Sequence, residues 1–317
     1  MAMKPSLKKV LFATSVLALS ACAGSATGDQ AITTQAAVET AISDATQDAP
    51  AMWKITDKDS TLYFLGTFHI LPTDFEWKTP VYEAAMADAE NTITEADTES
   101  PAATAAVQQA VAQYGINPPG TTLSSILGKE RFARFAAASE KFGIPASALE
   151  SFRPWLATLT LSVTALQSNG FDPANGVDSN LTAQATAEGD AITHFETAEE
   201  QIKILASLDE EEMLANFDVS LEQLEDFEAL SEKMLTAWAT GDTAGLEKIF
   251  IEELQTQSPD AFQKILVARN ENWANQVETV LAGEGDYMIA VGAAHLVGEK
   301  SLFDLLEDRG IKAERIQ

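Results

Sequence analysis

Two apolar runs, each closed by a glycine and then a histidine three residues later, constrain this chain more than any other feature. Tyr63-Phe64-Leu65-Gly66-Thr67-Phe68-His69 is one, and Ile289-Ala290-Val291-Gly292-Ala293-Ala294-His295 is the other. The chain has three histidines, and these are two of them. A short apolar run bounded by a turn signal reads as a buried strand. Glycine there permits a sharp turn or a close backbone approach, and in open α/β sheets ligands collect beyond the carboxyl ends of the strands. Two such units predict a sheet with two imidazoles at one rim, which suits a metal ion or an acid–base pair.

The remaining pattern supplies the layers around that sheet. Residues 52–55 and 61–65 read as strands joined by the turn Asp57-Lys58-Asp59-Ser60. Thr79 caps a helix opened by Pro80 and running to about residue 89. Asn91-Thr92-Ile93-Thr94-Glu95 follows as a strand with an acid at its end. This β-α-β order predicts parallel pairing through a right-handed crossover. From residue 100 to about 281 the periodicity is helical, with helices expected at 101–114, 123–142, 154–169, 177–187, 198–208, 221–240 and 259–281. One strand, 191–195, interrupts them. A strand at 286–291, a helix at 301–307 and a closing strand at 311–316 finish the chain. The expected class is α/β: a central mixed, partly parallel sheet flanked by many helices, with a large helical insertion between the first and last strands.

The N-terminus reads as an address. Lys4, Lys8 and Lys9 precede an apolar run over residues 10–19, too short to cross a bilayer and of signal-peptide length. Leu19-Ser20-Ala21-Cys22 resembles a bacterial lipobox, and Cys22 is the only cysteine, so it has no intrachain disulfide partner. Residues 1–21 are therefore expected to be a lipoprotein signal peptide and 22–50 a flexible tether rich in Ala, Thr, Gln, Ser and Asp. Residues 51–317 form the body. Ala23 and Gly24 follow the cysteine with no adjacent Asp, which by resemblance to sorted lipoproteins implies the outer membrane of a Gram-negative cell, facing the periplasm. The net charge of −28 argues against nucleic acid as a partner and against charge-driven adsorption to an anionic membrane. Membrane contact is expected through the lipid alone.

Glu95, at a predicted strand end, would join the two imidazoles at the rim. Two histidines and one carboxylate make a common catalytic metal set that leaves positions open for water or substrate. Arg269 would hold a substrate carboxylate or a developing oxyanion, or else brace the sheet through a buried carboxylate. Asp178, Glu196 and Asn270 are candidates for bracing or for orienting an imidazole. His194 is a further candidate ligand, although a strand histidine of structural role fits it as well. There is no Gly-x-Ser-x-Gly elbow, P-loop, dinucleotide fingerprint or His-Glu-x-x-His.

At this level the chain resembles the TraB/GumN family, distantly related to the Tiki metalloproteases and to erythromycin-esterase and ChaN-like proteins. The matching stretches are Leu65-Gly66-Thr67-Phe68-His69-Ile70-Leu71-Pro72, Thr94-Glu95-Ala96-Asp97, Arg153-Pro154-Trp155, Gly176-Val177-Asp178, Phe195-Glu196-Thr197 with Glu200-Gln201, Arg269-Asn270 with Trp273, and Val291-Gly292-Ala293-Ala294-His295-Leu296-Val297-Gly298. They span about residues 53–316. His194, where the family pattern is more often aliphatic, and Lys300-Ser301-Leu302, in place of a more usual Gly-Leu, depart from it. The Tiki branch implies divalent-metal-dependent cleavage of a peptide, with Mn, Co or Zn on His69, His295 and Glu95, and Glu95 as ligand or general base. The ChaN-like relatives imply the alternative of haem or iron binding without turnover. A third expectation is a non-catalytic partner-binding envelope protein.

Overall fold

A computed structural model describes residues 48–317 apart from Asp209 and Asp226. The predicted signal peptide, Cys22 and most of the tether lie outside the described residues. Eight strands are described: β1 (Met52–Thr56), β2 (Ser60–Thr67), β3 (Leu71–Pro72), β4 (Asn91–Ala96), β5 (Phe171–Asp172), β6 (Ala191–Glu196), β7 (Gly285–Gly292) and β8 (Glu314–Arg315). Six of them form one sheet in the order β6-β4-β7-β2-β1-β8, and β3 pairs with β5 in a small second sheet. β6, β4, β7 and β2 run parallel, and β1 and β8 add antiparallel at one edge. The expected mixed, partly parallel sheet is present, with one difference in its order. β4 is parallel to β2 but does not pair with it, because β7, some 190 residues later, occupies the place between them.

The alternation of side chains along the central strands fixes the layers. Tyr63, Leu65, Met288 and Ala290 face one side, where they pack against Val81, Tyr82, Met86, Leu181 and Trp238. Leu62, Phe64, Ile289 and Val291 face the other side, against Trp273, Val277, Leu302 and Leu306. Every residue of β2 is buried, as expected of a strand covered on both faces. The helical insertion carries a core of its own, built from Leu123, Leu127, Phe135, Leu161, Phe217 and Leu221. Among the described residues no helix is long and apolar enough to cross a membrane.

Four stretches differ from the periodicity reading. The helix expected over 221–240 is two helices, Glu210–Glu225 and Phe227–Ala239. The expected 259–281 helix contains a π-helical turn, Gln263–Val267, between Pro259–Phe262 and Ala268–Leu281. Such turns insert a residue into the helical ladder without changing composition, so periodicity does not reveal them. The closing strand shrinks to Glu314–Arg315, which pairs with Trp53 and Lys54 of β1. The short helices Thr243–Phe250 and Glu252–Gln257 were not expected; segments this short take their stability from packing, here of Leu246, Ile249, Phe250 and Leu254.

Candidate active site

β2 and β7 are neighbours, and their Gly-x-x-His units leave the sheet at the same end. Gly66 lies opposite Val291 and Thr67 opposite Gly292, so the units are offset by one residue. Both glycines are demanded by what surrounds them. A Cβ on Gly66 would stand 3.0 Å from the Ala293 backbone. A Cβ on Gly292 would stand 3.0 Å from Glu95 Oε1, 3.7 Å from His295 Cδ2 and 3.9 Å from His69 Nε2. The absent side chain of Gly292 is therefore a small cradle on which Glu95 and both imidazoles converge.

His69 is held from outside the sheet. Asp178, in the first turn of the helix Val177–Glu188, places Oδ2 2.7 Å from His69 Nδ1 and accepts the Thr67 hydroxyl at 2.8 Å through Oδ1. The helix is docked by the Val177 amide, which donates to the Phe68 carbonyl at 2.9 Å. Gly176 makes that approach feasible, since a Cβ there would lie 2.2 Å from the His69 carbonyl oxygen. Burial by itself lowers the His69 pKa, but the Asp178 charge and hydrogen bond, helped by Glu95, push it up to about 9.

His295 is held from within. Its Nδ1 lies 2.6 Å from Asn270 Oδ1, and the Asn270 amide nitrogen donates to the Lys300 carbonyl at 2.8 Å. Asn270 Oδ1 can only accept, so Nδ1 carries the hydrogen. The Nε2 lone pair then accepts from Arg269 Nη1 at 3.0 Å. This is a neutral imidazole with one defined tautomer. Burial, and then the Arg269 charge, push its pKa down to about 3. The ring lies against Trp273, 4.4 Å between centroids, and Trp273 in turn stacks on Phe195.

Arg269 ties the rest together. Nε donates to Glu196, Nη1 to His295 and to the Ile265 carbonyl inside the π turn, and Nη2 to both Glu95 and Glu196. A guanidinium has five N–H groups, and all five are used. Arg269 thus braces two buried carboxylates and leaves no N–H for a substrate, which is the bracing role of the two set out above. Glu95 also accepts the Gly292 amide at 2.7 Å through Oε1 and Gln201 Nε2 at 3.0 Å through Oε2. Burial works against its charge, but Arg269, the two histidines and the Gly292 N–H hold its pKa down near 2. Gln201 also donates to Glu196 at 3.0 Å. Burial keeps the Glu196 pKa above the usual range despite Arg269.

The structure thus brings His69, His295, Glu95, Arg269, Asp178, Glu196 and Asn270 into one network at the ends of β2, β4, β6 and β7. His194 is not drawn into it; its Nδ1 lies 2.8 Å from Thr94 Oγ1 on the neighbouring strand. For a metal the donors divide. His69 Nε2 and Glu95 Oε1 flank the Gly292 cradle, whereas the Nε2 lone pair of His295 faces Arg269. Among the described residues no group of three or more His, Cys, Asp and Glu side chains is arranged to hold a metal ion. Sequence reasoning gave no role to Thr67, Gly176 or Gln201. Thr67 and Gly176 stand inside the motifs already singled out, and Gln201 lies one helical turn after the Thr197 cap.

The sequence model of the TraB/PrgY/gumN family matches residues 51–315. Among curated proteins, the uncharacterized protein YbaP of Escherichia coli strain K12 is 25% identical over 189 residues, which is 60% of this chain and 69% of that protein. YbaP of Shigella flexneri matches over the same extent and at the same identity. No solved structure matches the chain.

Proposed function

The chain belongs to the TraB/PrgY/gumN family, and we propose that it is a hydrolase of carboxylic-acid derivatives in which His69 carries the proton transfer. One observation carries this reading: the 2.7 Å contact between His69 Nδ1 and Asp178 Oδ2, with Nε2 left at the Gly292 cradle. Nε2 is then the ring atom that exchanges protons with a substrate. With a pKa pushed up to about 9, His69 holds its proton at neutral pH and begins the reaction as a general acid. Water adds its oxygen to the acyl carbon, and the acyl–oxygen or acyl–nitrogen bond breaks. The departing atom takes the Nε2 proton, and the proton shed by the water restores the imidazolium. Glu95, with its pKa near 2, is a poor base; its fixed negative charge favours the cationic form of His69. A peptide bond is the first substrate to try, by analogy with Tiki-like proteins.

A second reading is favoured by the cradle itself. A divalent ion such as Mn, Co or Zn would be held by His69 Nε2 and Glu95 Oε1 in exchange for the His69 proton. It would supply Lewis acidity toward the scissile carbonyl. His295 would remain a neutral hydrogen-bonded residue in either case.

The full-length protein, given ester and peptide libraries with and without chelator, tests both. Hydrolysis that chelator leaves intact, and that His69→Ala reduces by about 10²–10⁴-fold, supports the acid–base reading. Chelator-sensitive hydrolysis with stoichiometric metal supports the second. Full activity in His69→Ala contradicts both, and a Soret band in the purified protein would put haem binding in their place. We also propose that Cys22 anchors the protein to the outer membrane by lipid, with the body in the periplasm. Cys22→Ala is then expected to move the protein from the membrane to the soluble fraction, and an unchanged distribution would contradict the anchor.

A further inference from the structure

A partly open, mostly apolar cleft lies beside His69. Phe68 and Ile70 border it from the chain after β2, Leu230 and Met234 from the helix Phe227–Ala239, and Leu166 and Phe171 from the insertion. Ala293 and Ala294, the two residues between Gly292 and His295, close its inner wall with small side chains. His69 is the only ionisable side chain in the lining. The hydroxyls of Thr67 and Ser231 are also in the lining, and that of Thr67 already donates to Asp178. A charged or strongly polar group placed along this wall would lose its hydration without compensation. A hydrocarbon group would instead gain burial against the apolar side chains, and a carbonyl at its end could meet the imidazole edge of His69. The cleft also opens at the carboxyl ends of parallel strands, where ligands of such sheets collect.

We propose that this cleft receives the apolar acyl group of the substrate and delivers its carbonyl to His69. The inference rests on the hydrolase reading above and adds its substrate class: carboxylic esters or amides with a medium-length hydrocarbon acyl part. Met234 is the expected length gauge, being an unbranched, adaptable side chain in the wall.

The test uses the full-length protein and p-nitrophenyl esters from acetate to decanoate, with binding of free decanoate measured separately by calorimetry. The inference expects kcat/KM to rise about three- to fourfold per methylene until the cleft is full, and decanoate to bind. Met234→Phe is expected to shift the preferred chain length downward. Esters hydrolysed with no dependence on chain length, together with no decanoate binding, would overturn the substrate class and leave the hydrolase reading standing. Decanoate binding without ester hydrolysis would support the apolar cleft and count against the hydrolase. Hydrolysis that favours long chains, with the optimum unmoved in Met234→Phe, would contradict the assignment of this cleft as the acyl site.

Discussion

His69 and His295 leave neighbouring parallel strands one residue apart, each three positions after a glycine. At His69 the group behind Nδ1 is a carboxylate, Asp178, and the side chain is 22% exposed. At His295 it is an amide, Asn270, the side chain is 2% exposed, and a guanidinium covers Nε2. The first pKa is pushed up to about 9 and the second down to about 3. One sequence motif therefore yields one imidazole paired with a carboxylate and one buried between an amide and a guanidinium. Besides burial, the difference comes from partners supplied by distant parts of the chain. Asp178 arrives on the helix Val177–Glu188, and Arg269 and Asn270 arrive on the helix before β7.

The largest test of this contrast removes the guanidinium. Arg269→Met would leave Glu95 and Glu196 buried without their cation and uncover His295 Nε2. We expect a loss of about 3–5 kcal/mol in urea unfolding, and a stability within 1 kcal/mol of wild type would show that the network is not held by Arg269. Next, Gly292→Ala would push a methyl group against Glu95 Oε1 and fill the cradle between the imidazoles. A cost of about 1–3 kcal/mol is expected, together with loss of hydrolysis, and retained activity would remove the cradle from the mechanism. Asn270→Ala strands the His295 Nδ1–H, at about 1–3 kcal/mol. Asn270→Asp is the sharper variant, because it gives His295 the kind of partner His69 has. Its pKa is expected to rise, and an unmoved pKa would mean that burial and Arg269 set it whatever group faces Nδ1.

A further test is the pH profile of stability, where the two histidines act in opposite directions. His69 has a folded pKa above its unfolded value near 6.5, so its contribution is complete below about 6.5 and is lost as pH rises through about 9. His295 has a depressed folded pKa and favours the fold when neutral, so its contribution is complete above about 6.5 and is lost as pH falls toward about 3. Together they put a stability maximum near pH 6.5. In Asp178→Asn the alkaline decline is expected to flatten while the acid limb stays.

Much of the site was legible because it is built at strand ends with distinctive residues. The two Gly-x-x-His units, Glu95 at the end of β4, and the Arg269-Asn270 pair could be named from spacing and from resemblance. Their roles could not. Whether Arg269 binds substrate or braces carboxylates depends on where its five N–H groups go, and four of them end on Glu95, Glu196 and His295, which lie outside its own helix. The insertion of β7 between β2 and β4 was also hidden, since local patterns give strand direction and not order. The π turn ahead of Arg269 left no mark on periodicity. The apolar cleft is assembled from five separate segments, so no single stretch of sequence announces it.

With three histidines in the chain, the central contrast is open to a direct measurement. Proton NMR titration of the imidazoles in the folded protein, with His69→Ala and His295→Ala used to assign signals, should show His69 titrating near 9 and His295 remaining neutral until about 3. Both rings titrating together near 6.5, or His295 gaining its proton before His69, would contradict the account.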